Sequence, residues 1–378
     1  MRLFELTFLP LVCAGALMAQ YPGLTLPPSG NNQKAAVTQF IGPVRITIDY
    51  SSPAVHDTAG KDRRGEIWGK LVPYGMSSLG AFGNGKPDPW RAGANENTVF
   101  AISSAVMIEG KPLAAGRYGL HMVPGKDEWT LIFSKNANAW GSFYYDEAED
   151  VLRVTVKPHP HEYREYLTYE FLSRKPTEAT AELQWEELAV PWTIKVDNVN
   201  EIYITRMRQE LTSVPGFSWQ GFQTAAQYTL QSDSNLQQGL QWAEDSISRP
   251  FIGQANFSTL STKAQILSKL GREQDASTIM QTAMKLPGTT QFEIHQLGRQ
   301  LLAAKKVDEA LAVFQYNATR NGDQWPIHVG LARAYAAKGD NKQALEHARK
   351  ALPQAPDAVN KQALEAMVKA LSAGQSIN

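Results

Sequence analysis

The sequence predicts an α+β protein of two domains, an N-terminal antiparallel β-sandwich and a C-terminal all-α solenoid. Three observations predict it. Apolar and polar residues alternate with period two from about residue 34 to residue 196, the period lengthens to three or four after Val196, and small and large apolar residues then recur at a step of 34. With 378 residues, 43% hydrophobic and 20% charged, the chain has the composition of packed globular domains. Lysine plus arginine and aspartate plus glutamate both number 37, so no charge excess points to nucleic acid or to an anionic membrane surface.

Residues 1–19 read as an address. Arg2 precedes a mostly apolar run over 6–19, too short to span a bilayer and rich in small residues, as in a cleaved signal peptide. Ala14-Gly15-Ala16 fits the small-x-small cleavage rule, and a cut after Ala19 leaves Gln20 first. The expectation is a periplasmic or extracellular protein with a flexible segment at 20–33 and no integral membrane segment once the signal is removed. Cys13 is the only cysteine and falls in the signal, which leaves the mature chain without a disulfide, a thiol nucleophile, cysteine-ligated zinc or a c-type haem attachment. Such a fold rests on buried apolar area.

Residues 34–197 form the β domain. Arg45-Ile46-Thr47-Ile48-Asp49-Tyr50 alternates, as do Leu152, Val154 and Val156, then Leu167, Tyr169 and Phe171, then Leu183 and Trp185 between Glu182, Gln184 and Glu186. Breaks fall at 109–112 and 124–127. Six of the nine tryptophans lie here (Trp68, Trp90, Trp129, Trp140, Trp185 and Trp192), enough aromatic bulk to fill the space between two sheets. Between residues 51 and 90 the alternation fails and glycine and proline crowd the chain. A loop of that length inside a domain is the first place to look for a site.

Residues 198–378 form the helical domain, opening with Trp219, Phe222, Ala226 and Leu230 at spacings of three or four. Ala276, Ala310 and Ala344 stand 34 apart, as do Leu267, Leu301 and Tyr335, and Ala264, Gly298 and Ala332. This pattern resembles the tetratricopeptide repeat, in which small residues let paired helices cross closely and a larger residue four places on fills the gap, here Phe314 after Ala310. Gly271 and Gly339 fall at the turns between paired helices, Lys305 stands in the glycine position of the middle copy, and a degenerate earlier copy covers 221–250 with Gly239 in the alanine position. The resemblance implies a curved solenoid that binds a protein or peptide partner, or else a buttress for the β domain. The two halves carry opposite balances, 18 basic against 22 acidic residues over 20–205 and 18 against 14 over 206–378, which is compatible with their docking.

The order of segments in the first half resembles the bacterial family called domain of unknown function 2911. The matching stretches are Ile48-Asp49-Tyr50-Ser51-Ser52-Pro53, Ile67-Trp68-Gly69-Lys70-Leu71-Val72-Pro73-Tyr74-Gly75, Trp90-Arg91-Ala92-Gly93-Ala94-Asn95-Glu96-Asn97-Thr98 and Leu113-Ala114-Ala115-Gly116-Arg117-Tyr118-Gly119-Leu120. The resemblance covers about 34–196, implies fold and export, and transfers no catalytic residue. This chain departs from it by an insertion at 76–89.

The best candidate for chemistry is the 90–98 run, where Trp90, Arg91, Asn95 and Glu96 offer a ring, a fixed cation, an amide and a carboxylate to a small polar ligand. The competing reading is a buried network with Arg91 paired to Glu96 and Asn95 capping a turn. His121, on one strand face with Gly119 and Val123, makes an acid–base pair if it meets Glu96 and is a satisfied structural histidine if it does not. His56, with Asp57, Asp62, Arg63 and Arg64, completes a polar pocket or sits in a solvated loop. His159-Pro160-His161 with Glu162, between two expected strands, is the only dense cluster of metal-ligand types, and proline makes it an awkward chelate. No metal or cofactor is implied, since the chain has no His-Glu-x-x-His, alternating-aspartate calcium loop, Gly-x-Ser-x-Gly or phosphate-loop motif. Two functions follow: an exported binding or interaction protein, with a ligand-recognising sandwich and a partner-binding solenoid, or a cell-envelope hydrolase acting on carbohydrate or peptide through Arg91, Asn95, Glu96 and His121.

Overall fold

The structure, a computed structural model, describes residues 32–77 and 86–377. The segment read as a signal, nearly all of the flexible segment and the middle of the 76–89 insertion lie outside them. The chain divides into two compact units that part between Asp197 and Asn198.

In the first unit β1 (Gln33–Ile41) and β2 (Val44–Ser52) form a hairpin through Gly42, whose φ of +54° suits glycine. After a long irregular segment come β3 (Thr98–Ile102), β4 (Val106–Ile108), β5 (Lys111–Leu113), β6 (Gly116–Val123), β7 (Trp129–Ser134), β8 (Asp150–Val156), β9 (His159–Leu172) and β10 (Glu178–Lys195). They pair antiparallel into a six-stranded sheet, β1-β2-β3-β6-β7-β8, and a four-stranded sheet, β5-β4-β10-β9. The break at 109–112 is a two-residue hairpin turn: Ile108 pairs Lys111, and Glu109 and Gly110 both have positive φ, the twist that adjoining strands require.

The predicted alternation holds in β2, where Val44, Ile46, Ile48 and Tyr50 are buried, and in β8, where Leu152, Val154 and Val156 are. It fails in β10, whose polar residues Glu182, Gln184 and Glu186 are buried along with Leu183 and Trp185. Each finds partners there. His159 Nε2 and the Gln184 side-chain amide meet the two Glu182 oxygens, and Glu186 accepts from the backbone N–H of Gly65, at 2.5 Å, in the irregular segment. Both faces of this strand are thus covered. The sheets are joined by Tyr50 of β2 edge-on to Tyr169 of β9, at 4.8 Å between centroids, and by the Ser52 hydroxyl donating to Leu167 O at 2.7 Å.

The second unit is a solenoid-like run of helices, ten among the described residues: α1 (Val199–Glu210), α2 (Trp219–Ser232), α3 (Leu236–Ser248), α4 (Phe257–Lys269), α5 (Glu273–Lys285), α6 (Gln291–Ala303), α7 (Val307–Asn321), α8 (Trp325–Lys338), α9 (Asn341–Ala351) and α10 (Ala358–Ser372). The 34-residue step is structural. Ala264, Gly298 and Ala332 sit buried on the first helices α4, α6 and α8, and Ala276, Ala310 and Ala344 on the second helices α5, α7 and α9.

Phe314, fully buried, fills the gap: a Cβ at Gly298 of α6 would lie 2.5 Å from its ring and one at Gly330 of α8 only 2.3 Å. Where α7 meets the end of α5, the Arg320 guanidinium donates to the carbonyls of Met284 at 2.5 Å and Leu286 at 2.7 Å, groups that the helix end leaves without intrahelical donors.

The turns between paired helices use left-handed residues: Gly271 at φ +77°, Gly339 at +87° and, in the middle copy, Lys305 at +60°. A side chain in that conformation is strained where glycine is not. Lys305→Gly is therefore expected to raise the stability of the helical unit by about 0.5–1 kcal/mol in urea denaturation, despite the added freedom of the unfolded chain. A loss of stability would show that the lysine side chain contributes more than its backbone strain costs.

Candidate functional site

The irregular segment between β2 and β3 is stitched to both sheets by backbone hydrogen bonds. The N–H of Val55 donates to Glu165 O at 2.7 Å and that of Leu167 to Pro53 O at 2.9 Å, on β9; Trp90 and Met122 exchange a pair of 2.8 Å bonds on β6. Val55, Ile67, Val72 and Ala92 bury their side chains from this segment. Trp68 stands at its centre, edge-on to Trp129 of β7 at 5.1 Å, to Trp185 of β10 at 5.6 Å and to Trp90 at 5.8 Å, and Trp90 stacks on Trp185 at 6.3 Å and 15°. The indole N–H groups of Trp68, Trp129 and Trp185 are buried without an acceptor among the described residues, so packing alone holds these rings.

Beside this cluster opens a cavity of about 290 Å³. Trp90, Trp185, Leu71, Val72 and three prolines, Pro53, Pro73 and Pro89, form its walls, and Asn32, Arg63 and Arg91 also line it. Arg63 is fixed by donating to the carbonyls of Ala54 and Val55, both at 2.9 Å.

The six residues singled out from sequence are dispersed by the fold. Trp90 and Arg91 line the cavity. The guanidinium of Arg91 is committed to the Asn95 carbonyl, 2.6 Å away, and lies over the Phe143 ring at 4.7 Å; it passes so close to Gly141 that a Cβ there would stand 2.3 Å from it. Burial holds this guanidinium below its ordinary pKa, with Asp88 opposing, and burial raises the Asp88 carboxyl, with Arg91 opposing. Asn95 turns the chain at φ +58°, and its side-chain oxygen accepts from the Asn32 amide at 3.3 Å.

Glu96 does not pair with Arg91. It bonds Lys34 on β1 and accepts from the Ser51 hydroxyl at 3.4 Å, lining a separate cleft of about 490 Å³ with Asp49 and Arg117. Burial works to raise its carboxyl, and the Lys34 hydrogen bond helps to outweigh it, leaving the group below the usual range. The arginine comes from the same nine-residue run as Glu96, the lysine from 62 positions upstream, and a hairpin edge brings the lysine closer.

His121 is buried on β6, its Nδ1 2.9 Å from the Ser142 hydroxyl and its ring edge-on to Tyr145. No hydrogen bond or ion pair joins it to Glu96 among the described residues. Burial, and secondarily the charge of Arg91, push it down to about 4. His56 lies against β9 instead, where Glu165 accepts from both its backbone N–H, at 2.9 Å, and its ring, at 2.8 Å, and from the Tyr163 hydroxyl.

The His159 cluster belongs to the start of β9 rather than to a loop between strands, and His159 is tied to Glu182. Among the described residues no three histidine, cysteine, aspartate or glutamate side chains are grouped to hold a metal. Trp185 in the cavity and Glu165 beside His56 carry no local sequence signal of a site: alternation marks Trp185 as a strand residue, and nothing in sequence sets it against Trp90.

Residues 32–194 match the family described as Protein of unknown function (DUF2911). Residues 301–368 match a tetratricopeptide repeat family. No curated protein matches the chain. Among solved structures, a thermophilic tetratricopeptide protein of Thermus thermophilus is 16% identical, covering 45% of this chain and 91% of its own, with a TM-score of 0.30. YrrB, titled a tetratricopeptide protein with an unusual peptide-binding site, is 17% identical over 45% and 89%, TM-score 0.29. The C-terminal part of a repeat protein from Cytophaga hutchinsonii is 15% identical over 47% and 68%, TM-score 0.35.

The buried neutral His121 of the DUF2911 region makes a pH dependence. Its folded pKa lies below the unfolded value of 6.5, so as pH falls through 6.5 toward 4 the unfolded chain binds a proton that the folded chain refuses, and stability drops by about 3 kcal/mol. Urea denaturation of the protein and of His121→Asn across that window is expected to show a shallower decline in the variant. Equal slopes would mean that His121 titrates normally in the folded protein.

Proposed function

We propose that this protein is an exported binding and interaction protein, in which the DUF2911 region recognises a small polar ligand at the Trp90–Trp185 cavity and the helical repeats dock a protein or peptide. The observation that carries the ligand half is the cavity itself. Its stacked indoles and prolines offer flat apolar walls, and Asn32, Arg63 and Arg91 add polar groups, the combination that suits a sugar ring or a short peptide with one apolar face. The interaction half is supported by the repeat match over 301–368. Export is supported by the apolar run over 6–19 behind Arg2 and by Ala14-Gly15-Ala16, which fits the small-x-small cleavage rule.

Hydrolysis through Arg91, Asn95, Glu96 and His121 finds less support. Such chemistry needs a carboxyl group and a second ionisable group converging in one cleft. Here Glu96 is held ionised beside Lys34 and His121 is buried against Ser142. Binding needs neither.

The test is a panel of saccharides and short peptides titrated into the full chain, read by intrinsic tryptophan fluorescence and melting temperature. One class is expected to raise the melting temperature, with Trp90→Ala weakening it about tenfold or more and Trp90→Phe, which keeps an aromatic wall, weakening it less. A response unchanged in Trp90→Ala, or no response across the panel, would contradict the proposed site.

A further inference from the structure

The cleft of about 490 Å³ that Glu96 lines opens on the outer face of the six-stranded sheet, and strand register sets its floor. Ala36 of β1, Asp49 of β2, Val99 of β3 and Gly119 of β6 stand in one row across four strands. Ile46, Ile48 and Tyr50 take the inner side of β2, which leaves Asp49 on the outer one. Alanine, valine and glycine keep the rest of the row low. The segment that follows β7 forms a wall with Ala137, Asn138 and Ala139. Asn97, 5% exposed, pins this wall twice: its side-chain amide donates to Asn136 O at 2.8 Å, and its backbone N–H to Ala139 O at 3.2 Å. Gly119 lets the wall come down on the sheet, since a Cβ there would stand 2.6 Å from Asn136 O and 2.9 Å from the Asn97 amide nitrogen.

Four charged side chains line the cleft, two of each sign. Lys34 and Glu96 bond each other. Asp49 and Arg117 are left over, with no hydrogen bond or ion pair to either side chain among the described residues. Arg117 shares the outer face two residues from Gly119, so two strand spacings and two residues separate it from Asp49, about 12 Å between Cα atoms. That offset keeps the two from neutralising each other.

A balanced set of charges selects a balanced ligand: a polyanion would meet Asp49 and Glu96, and a polycation would meet Lys34 and Arg117. Guanidinium forks match carboxylates, and a carboxylate accepts from an ammonium group. A single amino acid holds both its charges on one carbon and cannot reach both ends. Two residues of extended peptide span about 7 Å, and the length of the arginine side chain covers the rest.

We infer that this cleft binds a short peptide with both termini free, a dipeptide above all, its carboxylate on Arg117, its ammonium on Asp49 and its small side chains over Ala36 and Val99. The site is separate from the Trp90–Trp185 cavity, and the inference does not rest on the reading of that cavity.

Alanyl-alanine, its N-acetylated form, its C-terminal amide and free alanine are titrated into the full chain by calorimetry. The free dipeptide is expected to bind, with either blocked form and free alanine about tenfold weaker or more. Arg117→Gln is expected to weaken the free dipeptide by a similar factor and to abolish its advantage over the amide, while Asp49→Asn abolishes its advantage over the acetylated form. Trp90→Ala is expected to change none of this. The comparison of free and blocked peptides on the unaltered protein stands whether or not a variant folds.

Equal binding of free and blocked dipeptides, or no binding of any of them, would overturn the inference. Tighter binding of alanine than of the dipeptide would overturn the peptide assignment. Loss of binding in Trp90→Ala, with Arg117→Gln and Asp49→Asn unaffected, would place the peptide in the other cavity, overturning this inference and supporting the site proposed above.

Discussion

The packing of Trp68 against Trp90, Trp129 and Trp185 is the constraint on which the first unit depends. Trp129 belongs to the six-stranded sheet, Trp185 to the four-stranded sheet, and Trp68 and Trp90 to the segment between β2 and β3. One aromatic cluster therefore sets the spacing of the sheets and fixes an otherwise irregular stretch of chain upon them. Each well-placed aromatic pair contributes about 0.5–1.5 kcal/mol beyond the area it buries, which adds to the apolar burial of Val55, Ile67 and Val72 against the entropy of ordering the chain around them. The cavity beside it is walled by two of the same rings, which makes fold and site one piece of packing.

Phe314 plays a comparable part in the helical unit. One ring occupies the space that Gly298 and Gly330 leave open, and the close approach of α6, α7 and α8 follows from it. That approach sets α6 and α8 side by side, so the cleft lined by Phe292, Arg299, Trp325 and Val329 is a consequence of how the core is filled.

Much of this was legible in the sequence because local periodicity reports local burial. Ile46 and Ile48, or Val154 and Val156, announce half-buried strands, and the 34-residue step announces helix pairs down to the strained position of Lys305. Partner choice across long separations was not legible. Arg91 and Glu96 looked like a pair because they are near in sequence, yet a hairpin edge delivers Lys34 to Glu96 while Gly141 leaves room for Arg91 to reach Phe143. Glu182, Gln184 and Glu186 stand where alternation puts solvated residues, yet His159 of β9 and Gln184 meet Glu182, and Gly65 of the irregular segment meets Glu186. The repeat grammar likewise named Gly298 but not Gly330, since only the ring between them reveals the second close approach.

The central claim is that the tryptophan cluster holds the described residues between β2 and β3 as a rigid wall of the site. Native-state hydrogen exchange of the backbone amides measures this directly. The amides of Val55, Val72 and Trp90, hydrogen-bonded to the carbonyls of Glu165, Ile67 and Met122, should exchange as slowly as those of β6 and β9, and should lose that protection together in Trp68→Ala. Exchange of these amides at the rate of an open loop, with β6 and β9 still protected, would contradict the account.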